Sequence, residues 1–557
     1  MTARAWWKEA VVYQIYPRSF NDSDGDGVGD IPGIVARLDY LDELGVDAVW
    51  LSPVYESPQN DNGYDVSDYR SIHAEYGTME DWDALLAGLH DRDIRLVMDM
   101  IPNHTSSEHD WFRRSRANPD GEYGDYYVWR EGDPDEPPNN WESFFGGSAW
   151  TYDGEREAWY LSLFDPTQPD LNWRNPAVRE DVYDVMNWWL DKGIDGFRLD
   201  VLNLLSKPDG LPDGDPTRDL VGSEHFVDGP RIHEYLDEMY EAAFAGRDIV
   251  TVGEMPQLTL ESAREYAGDD GPLDLVFPFE HVEIDFGPDG RWDVGEWTLS
   301  GLKSVLDRWQ RGLDDEWWTT VFFENHDQPR SVSRFGDDEA FRYESATALG
   351  TVVLTLRGTP FLYQGQELGM TNTAFESLDD VADVDTVRNV EELMAAGAVE
   401  DYDEIRDVVE ARSRDNARTP MQWTDGRHAG FTDGDPWLAV NDDYREVNAA
   451  RERTETPSVL SYYRTLIDLR GDSEPLRYGS YELHYPDDER LYVYERTAGD
   501  ERVVVVLNLS ADGRSPAVDP VPASASLLLG NYESVPEAPG DPFDLRPYEA
   551  RLYAASR

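Results

Sequence analysis

Four apolar runs of this 557-residue chain end in groups that can move protons or hold charge. RLVMDM carries Asp99, with Asn103 and His104 just beyond it; GFRLD carries Arg198 and Asp200; IVTVGE closes on Glu254; VFFENHD closes on His326 and Asp327. In a chain with 114 Asp and Glu, any one of these acids reads as surface charge. Acids at one shared position, the ends of successive apolar runs, need another reason. The chain has no Cys and no three-histidine metal spacing, so thiolate chemistry and a thiolate metal site are excluded. Convergent carboxylates without either point to glycoside hydrolysis. One acid attacks or stabilises an oxocarbenium-like centre, and a second, with its pKa raised by its surroundings, protonates the leaving oxygen. An arginine beside the nucleophile favours its ionised form.

Such residues must be carried by elements that bring them to one rim. Eight apolar runs, at 11–17, 48–53, 95–100, 196–200, 249–254, 275–279, 321–327 and 359–367, are rich in Val, Ile, Leu and Phe, as buried parallel strands are. Helical patterns lie between them. Before the fourth run, Val182, Val185, Met186, Trp189 and Leu190 form an amphipathic stripe, and Gly193 is placed to stop that helix. The expected class is α/β, a (β/α)8 barrel with its site at the C-terminal strand ends; a doubly wound sheet would give the same local pattern. About 95 residues separate the third and fourth runs, far more than a crossover needs. The expected division is a catalytic barrel over 1–104 and 175–478, an inserted domain at 105–174 on the third strand–helix loop, and a helical insertion at 371–420 after the eighth strand. From 479 to 557, short strands broken by turn residues predict a C-terminal antiparallel β-domain.

Composition narrows the partners. With 40% hydrophobic and 12% aromatic residues, whole-chain disorder is excluded, and the length suggests three or four domains at about 150 residues each. Against 114 acids stand 48 basic residues, a formal charge of −66, which excludes nucleic acid and anionic membranes as partners. Lysine occurs only at positions 8, 192, 207 and 303, so arginine supplies the other basic residues. This balance is that of a protein from a salt-accumulating halophile, where screening suppresses self-repulsion. No secretory leader or membrane-length apolar stretch is visible, so a soluble cytoplasmic protein, a monomer or small homo-oligomer, is expected.

The strand ends DMIPNH (99–104), GFRLDV (196–201), VGEMP (252–256) and ENHDQPR (324–330) resemble, in order and spacing, the four signature regions of the α-amylase family of glycoside hydrolases. WWKEAVVYQIYPRSF, DNGYDVSDY, NNWESFFGGSAW, RDNARTPMQW and LRPYEA extend the likeness end to end, to the oligo-1,6-glucosidase/α-glucosidase group. The resemblance implies a retaining exo-α-glucosidase that takes the non-reducing terminal glucosyl unit of short oligosaccharides without an organic cofactor. It assigns Asp200 as nucleophile, Glu254 as acid/base and Asp327 as the third carboxylate, with His104, Arg198 and His326 around the −1 sugar. It also places Asp61 and Arg414 at the closed end of the pocket, Tyr64 under the −1 ring, and Phe145 and Phe164 as pocket walls. The motif at Arg414 reads SRDN where the group has GRDN. Val201, directly after the nucleophile, goes in that group with α-1,6 preference, Ala or Thr with α-1,4.

Asp22, Asp24, Asp26 and Asp30, with the Val28 carbonyl, have EF-hand-like spacing in DSDGDGVGD, although Gly33 stands where that motif has its final Glu. Oxygen ligands select Ca²⁺ or Mg²⁺, and the family's metal loop implies a structural ion. The alternatives on one scaffold are an α-1,4-specific α-glucosidase, a glucosyl-transferring isomerase and a trehalose-6-phosphate hydrolase. The last needs a cation at the +1 subsite, for which Lys207 is a candidate. A catalytically dead binding subunit would lack one of the three carboxylates.

Overall fold

The computed structural model describes residues 4–268, 271–288, 290–313, 317–515, 521–535 and 543–556. Eight parallel strands form the core: β1 (Val12–Ile15), β2 (Ala48–Leu51), β3 (Arg95–Met100), β4 (Gly196–Leu199), β5 (Val250–Gly253), β6 (Leu275–Val276), β7 (Thr320–Val321) and β8 (Thr359–Tyr363). They pair in the order β6-β5-β4-β3-β2-β1-β8-β7, so the last strand returns to the first. Among the described residues, the β6–β7 seam alone lacks a backbone ladder. There the hydroxyls of Thr319 and Thr320 both donate to the Val276 carbonyl at 3.1 Å, and side chains close the barrel.

The amphipathic stripe before β4 lies on helix α1 (Pro176–Lys192), which buries Val182, Val185, Met186, Trp189 and Leu190. Asn175 caps its start, and Gly193 ends it in the left-handed conformation at φ 107°. The seventh strand is shorter than its apolar run predicts. After Val321 the buried Glu324 carboxylate takes Arg330 and the Ser331 N–H as partners, so side-chain bonds replace the ladder and the chain turns.

Between β3 and β4, a three-stranded antiparallel sheet (129–130, 150–153 and 158–161) stands over the barrel rim. After β8 the chain is helical, with α2 (Val384–Ala395) its longest helix before the barrel resumes. Arg388 of α2 binds Asp165 at 3.0 Å, which ties the two excursions together above the strand ends.

The C-terminal strands β9 (Ser480–His484), β10 (Leu491–Ala498), β11 (Glu501–Asn508), β12 (Ser526–Gly530) and β13 (Ala550–Ser556) form an antiparallel sheet in the order β9-β10-β11-β13-β12. One buried arginine of the sheet joins it to the barrel, and a second braces the same turn from the helix Val459–Asp472. Arg470 donates to the carbonyls of Leu354, Leu356, Leu476 and Gly358, and Arg496 of β10 donates to those of Thr355 and Gly479. Leu354 and Thr355 close the helix Arg342–Thr355 that precedes β8, so the two cations satisfy carbonyls left without helical partners. Among the described residues, no helix is long and apolar enough to cross a membrane.

Candidate active site

Sheet register explains why the acids meet. Asp99 of β3 sits beside Arg198 of β4, and Leu199 beside Gly253 of β5. One residue further come Asp200 and Glu254, level with each other on adjacent strands and on the face that Arg198 shares, because side chains alternate along a strand. The bonds Asp200 N–H to Met100 O and Glu254 N–H to Leu199 O, both 2.9 Å, hold that register past the last paired residues.

Arg198, 1% exposed, is the hub. Its Nη1 donates to Asp99 at 2.8 Å and to Asp200 at 2.6 Å, and its Nη2 donates to Glu254. Trp50 Nε1 and the Tyr64 hydroxyl bind the other oxygen of Asp99, at 3.1 and 3.0 Å. Burial pushes Asp99 up to about 6 in spite of Arg198. Burial also drives Asp200 well above the usual carboxylate range, and it outweighs the Arg198 charge with help from the negative Glu254 and Asp99. Asp200 and Glu254 are held by the two terminal nitrogens of the one Arg198 guanidinium. The sequence expectation that Arg198 would hold the nucleophile ionised is therefore reversed, because burial and the neighbouring negative charges outweigh the guanidinium at Asp200.

A second cluster faces the first. Asp327 lies 2.7 Å from Arg418, 3.3 Å from Arg414 and 3.2 Å from His326 Nε2. Burial alone would raise Asp327, but His326 and the two guanidinium groups hold it far below the carboxylate range. Burial lowers His326 to about 3 and His104 to about 4, so both rings are neutral at physiological pH. Gln14 Nε2 donates to His326 Nδ1 at 2.9 Å, which leaves the hydrogen on Nε2, facing Asp327. The Tyr64 ring lies parallel to His326 at 5.1 Å.

Arg414 spans the far end. It reaches Asp61 at 3.3 Å and Asp383 at 2.6 Å, with its guanidinium over the Phe145 ring at 5.0 Å. Gln168 donates to the other oxygen of Asp61 at 3.0 Å. Burial pushes Asp61 up to about 7 against the pull of Arg414 and Arg418. The resulting cleft holds about 830 Å³. Asp61, Tyr64, His104, Phe145, Phe164, Asp200, Val201, Glu254, Asp327 and Arg414 all line it. Arg198 and His326 lie beneath, each 1% exposed, and hold the residues that do. Sequence reasoning missed Asp383 and Arg418, the partners that fix Arg414 and Asp327. Asp383 lies in the acidic stretch DDVADVDTV and is fully buried, which only the fold reveals.

The α-amylase catalytic-domain model matches residues 14–479. The chain belongs to the α-amylase family. This glycoside hydrolase is 50% identical over 555 residues to the oligo-1,6-glucosidase of Halalkalibacterium halodurans, covering 98% of each chain. It is 49% identical to that of Bacillus cereus, covering 99% of each. Among solved structures, an isomaltulose synthase from Klebsiella sp. LX3 superposes with a TM-score of 0.95 at 42% identity, and a trehalose-6-phosphate hydrolase from Bacillus licheniformis with 0.92 at 43%, each over 100% of both chains.

Two sequence expectations change for this α-amylase-family member. Lys207 does not line the catalytic cleft. It is 7% exposed, held by Asp170 at 2.5 Å and Asn103 at 2.8 Å, so its charge is neutralised beneath His104 and cannot serve a +1 phosphate. In the aspartate loop, carboxylate oxygens of Asp22, Asp24 and Asp30 lie within 4.8 Å of one another, but Asp26 is outside that group. Asp26 instead accepts the Val28 N–H at 2.8 Å, an Asx-type bond that turns it from the cluster. The Val28 side chain is buried. Gly27, at φ 98°, is required where it stands, because a Cβ there would meet the Asp435 carbonyl at 1.9 Å. The converging donors are all hard oxygens, which fits a Ca²⁺- or Mg²⁺-sized ion.

Proposed function

We propose that the enzyme is a retaining exo-α-glucosidase with a preference for α-1,6-linked glucosides of the isomaltose type. The observation that carries this is that Asp200 and Glu254 bond to one guanidinium, in a cleft whose far end Asp61 and Arg414 occupy. Two carboxyl groups bound to one guanidinium favour the ~5–5.5 Å spacing of a retaining pair over the ~6.5–9.5 Å of an inverting one. Asp200 attacks the anomeric carbon while Glu254 gives its proton to the departing glycosidic oxygen. Water then attacks the glucosyl ester, Glu254 takes its proton, and Asp200 is released. Arg198 offsets charge on both acids in turn, and Asp327, kept ionised by Arg414 and Arg418, accepts hydrogen bonds from sugar hydroxyls. The Asp61–Arg414 pair grips the terminal glucose and stops a longer chain from passing, which makes the enzyme exo-acting.

Initial rates on isomaltose, maltose, sucrose and trehalose 6-phosphate test the substrate class, with isomaltose expected to lead. NMR of the first product from isomaltose should show α-glucose. Asp200→Asn and Glu254→Gln should each lower kcat by about 10²–10⁴-fold or more with near-UV CD unchanged. A β-anomer, or either variant at wild-type rate, overturns the assignment. The same reading takes 105–174, 371–420 and 479–557 as units set on the barrel, and the Asp22, Asp24 and Asp30 cluster as the seat of a structural Ca²⁺ or Mg²⁺. It places the enzyme in the cytoplasm of a salt-accumulating cell, and the four lysines support this. Lys207 and Lys303 are buried and bound to Asp170 and to three carbonyls respectively, Lys8 is buried over Trp7 and Trp318, and Lys192 pairs with Asp83. Lysine survives only where a specific site uses it.

A further inference from the structure

A second cavity, of about 240 Å³, opens between the inserted sheet and the loop that follows β4, and no step of the proposed mechanism uses it. Arg130, Arg156, Arg174 and Lys207 all line it, and Asp125 is the acid in its wall. Four cations around one cavity contrast with a chain carrying 114 acids and 48 basic residues.

Two of the four are already matched. Lys207 is bound to Asp170 and Arg174 to Asp209. The other two are not. Arg130 donates to the Trp129 carbonyl at 2.7 Å, and Arg156 donates from one nitrogen to the carbonyls of Ser115 and Gly124 while lying over the Trp129 ring at 4.2 Å. Among the described residues, neither has a carboxylate within ion-pair distance. The Asp125 carboxylate is occupied by the Asn175 amide at 2.9 Å. Burial and the neighbouring Arg174 charge both disfavour the charged form of Arg130, so like charges face each other across this space.

We propose that this cavity is a binding site for a small phosphate ester, with the phosphate held by Arg130 and Arg156. A tetrahedral dianion offers a forked pair of acceptors to each of two guanidinium groups that lack an ion-pair partner, with Asp153, Asp125 and Glu131 acting on Arg156 only at longer range. At ~30 Å³ per water, the cavity has room for about eight waters, enough for a phosphate and part of one sugar ring but not for an oligosaccharide. Apolar walls from Leu171 and Leu205 suit the carbon skeleton. The site lies apart from the −1 sugar yet touches it through one chain of contacts: Lys207 bonds to Asp170 and Asn103, and Asn103 to His104. An anion here would join the inserted sheet to the barrel directly behind the catalytic floor.

Calorimetric titration of the full-length enzyme at fixed KCl tests this with glucose 6-phosphate, inorganic phosphate and glucose, each repeated with the catalytic cleft saturated by a glucose-shaped iminosugar. Glucose 6-phosphate should bind once per chain, with the iminosugar making no difference, and should raise Tm. Arg130→Ala and Arg156→Ala should each weaken it about tenfold or more, with isomaltose turnover and near-UV CD unchanged, and Arg130→Lys should keep part of the affinity. Equal binding of inorganic phosphate assigns the affinity to the phosphate group; weaker binding adds the sugar. Displacement by the iminosugar, undiminished binding in both alanine variants, equal binding of glucose, or no binding of either phosphate compound overturns the proposal. If an alanine variant misfolds, Arg130→Gln and Arg156→Gln carry the same test.

Discussion

Val201 is a β-branched residue in the left-handed region, at φ 37° and ψ 44°, immediately after Asp200. Such a conformation costs of order 1–3 kcal/mol and persists only where the surroundings impose it. Here the Leu202 N–H binds the Glu254 carbonyl at 2.9 Å, so the turn that strains Val201 also ties the nucleophile strand to the acid strand. Its side chain lines the cleft, beside the acids between which the proposed mechanism cleaves the glycosidic bond. An α-1,6 glucoside has one more CH₂ and one more rotatable bond, so its leaving sugar follows a different path along this wall. One methyl-sized contact is worth about 1–3 kcal/mol, or 10- to 200-fold. Val201→Thr and Val201→Ala should therefore both shift the kcat/KM ratio of isomaltose to maltose towards maltose; a ratio that stays put removes Val201 as the selector. Asp99 offers a pH test. Its negative charge helps to raise Asp200, so Asp99→Asn should let Asp200 stay ionised to lower pH. The acid limb of kcat/KM should move down the pH scale, and an unmoved or raised limb would contradict the coupling. His104 and His326 are already neutral, so neither should contribute a limb near pH 6.5. Most of these residues were legible because each acid ends an apolar run. The strain at Val201 was not, since valine is an ordinary strand residue and only the bond to Glu254 forces the turn. Asp383 was hidden for the opposite reason: its type is too common in this chain to signal burial.

At the scale of elements, the number of barrel strands and the C-terminal sheet follow from hydrophobic pattern, whereas strand order and strand ends do not. β7 stops at Val321 because Glu324, which reads as a continuation of the strand, binds Arg330 instead. The aspartate loop shows a similar limit. Spacing alone made Asp26 equivalent to its neighbours, but a local bond to the Val28 N–H removes it from the converging group. Asp22 is held by the Gly25 and Gly27 N–H groups and by Thr432, so the loop already fastens the barrel to the 431–437 segment. An ion among Asp22, Asp24 and Asp30 would reinforce that fastening and leave the catalytic acids untouched. Chelation should lower Tm while kcat at a permissive temperature stays nearly constant. Elemental analysis without metal, together with an unchanged Tm, would make the loop a self-capped turn.

At the scale of the molecule, a formal charge of −66 predicts that the fold depends on salt. Screening falls off over ~3 Å at 1 M salt and ~30 Å at 0.01 M, so dilution couples carboxylates that salt keeps apart. Activity and near-UV CD should both be lost at low ionic strength and be retained in molar KCl; full stability in dilute buffer would contradict the salt-adapted reading. The arginine joint between barrel and C-terminal sheet should weaken least, since Arg496 binds the Thr355 carbonyl in the interior, out of reach of mobile ions. The return of β8 to β1 also has a consequence in time. Residue 15 leaves the ribosome 344 positions ahead of residue 359, where its second neighbour begins. At ~5–20 residues per second this is roughly 20–70 s during which the growing chain carries an unpaired sheet edge. The cations that cap the helix before β8 come later still, Arg496 after another 137 residues. The earliest strand thus gains its second neighbour only after more than three hundred further residues have been made, so its pairing is set by synthesis rather than by local folding.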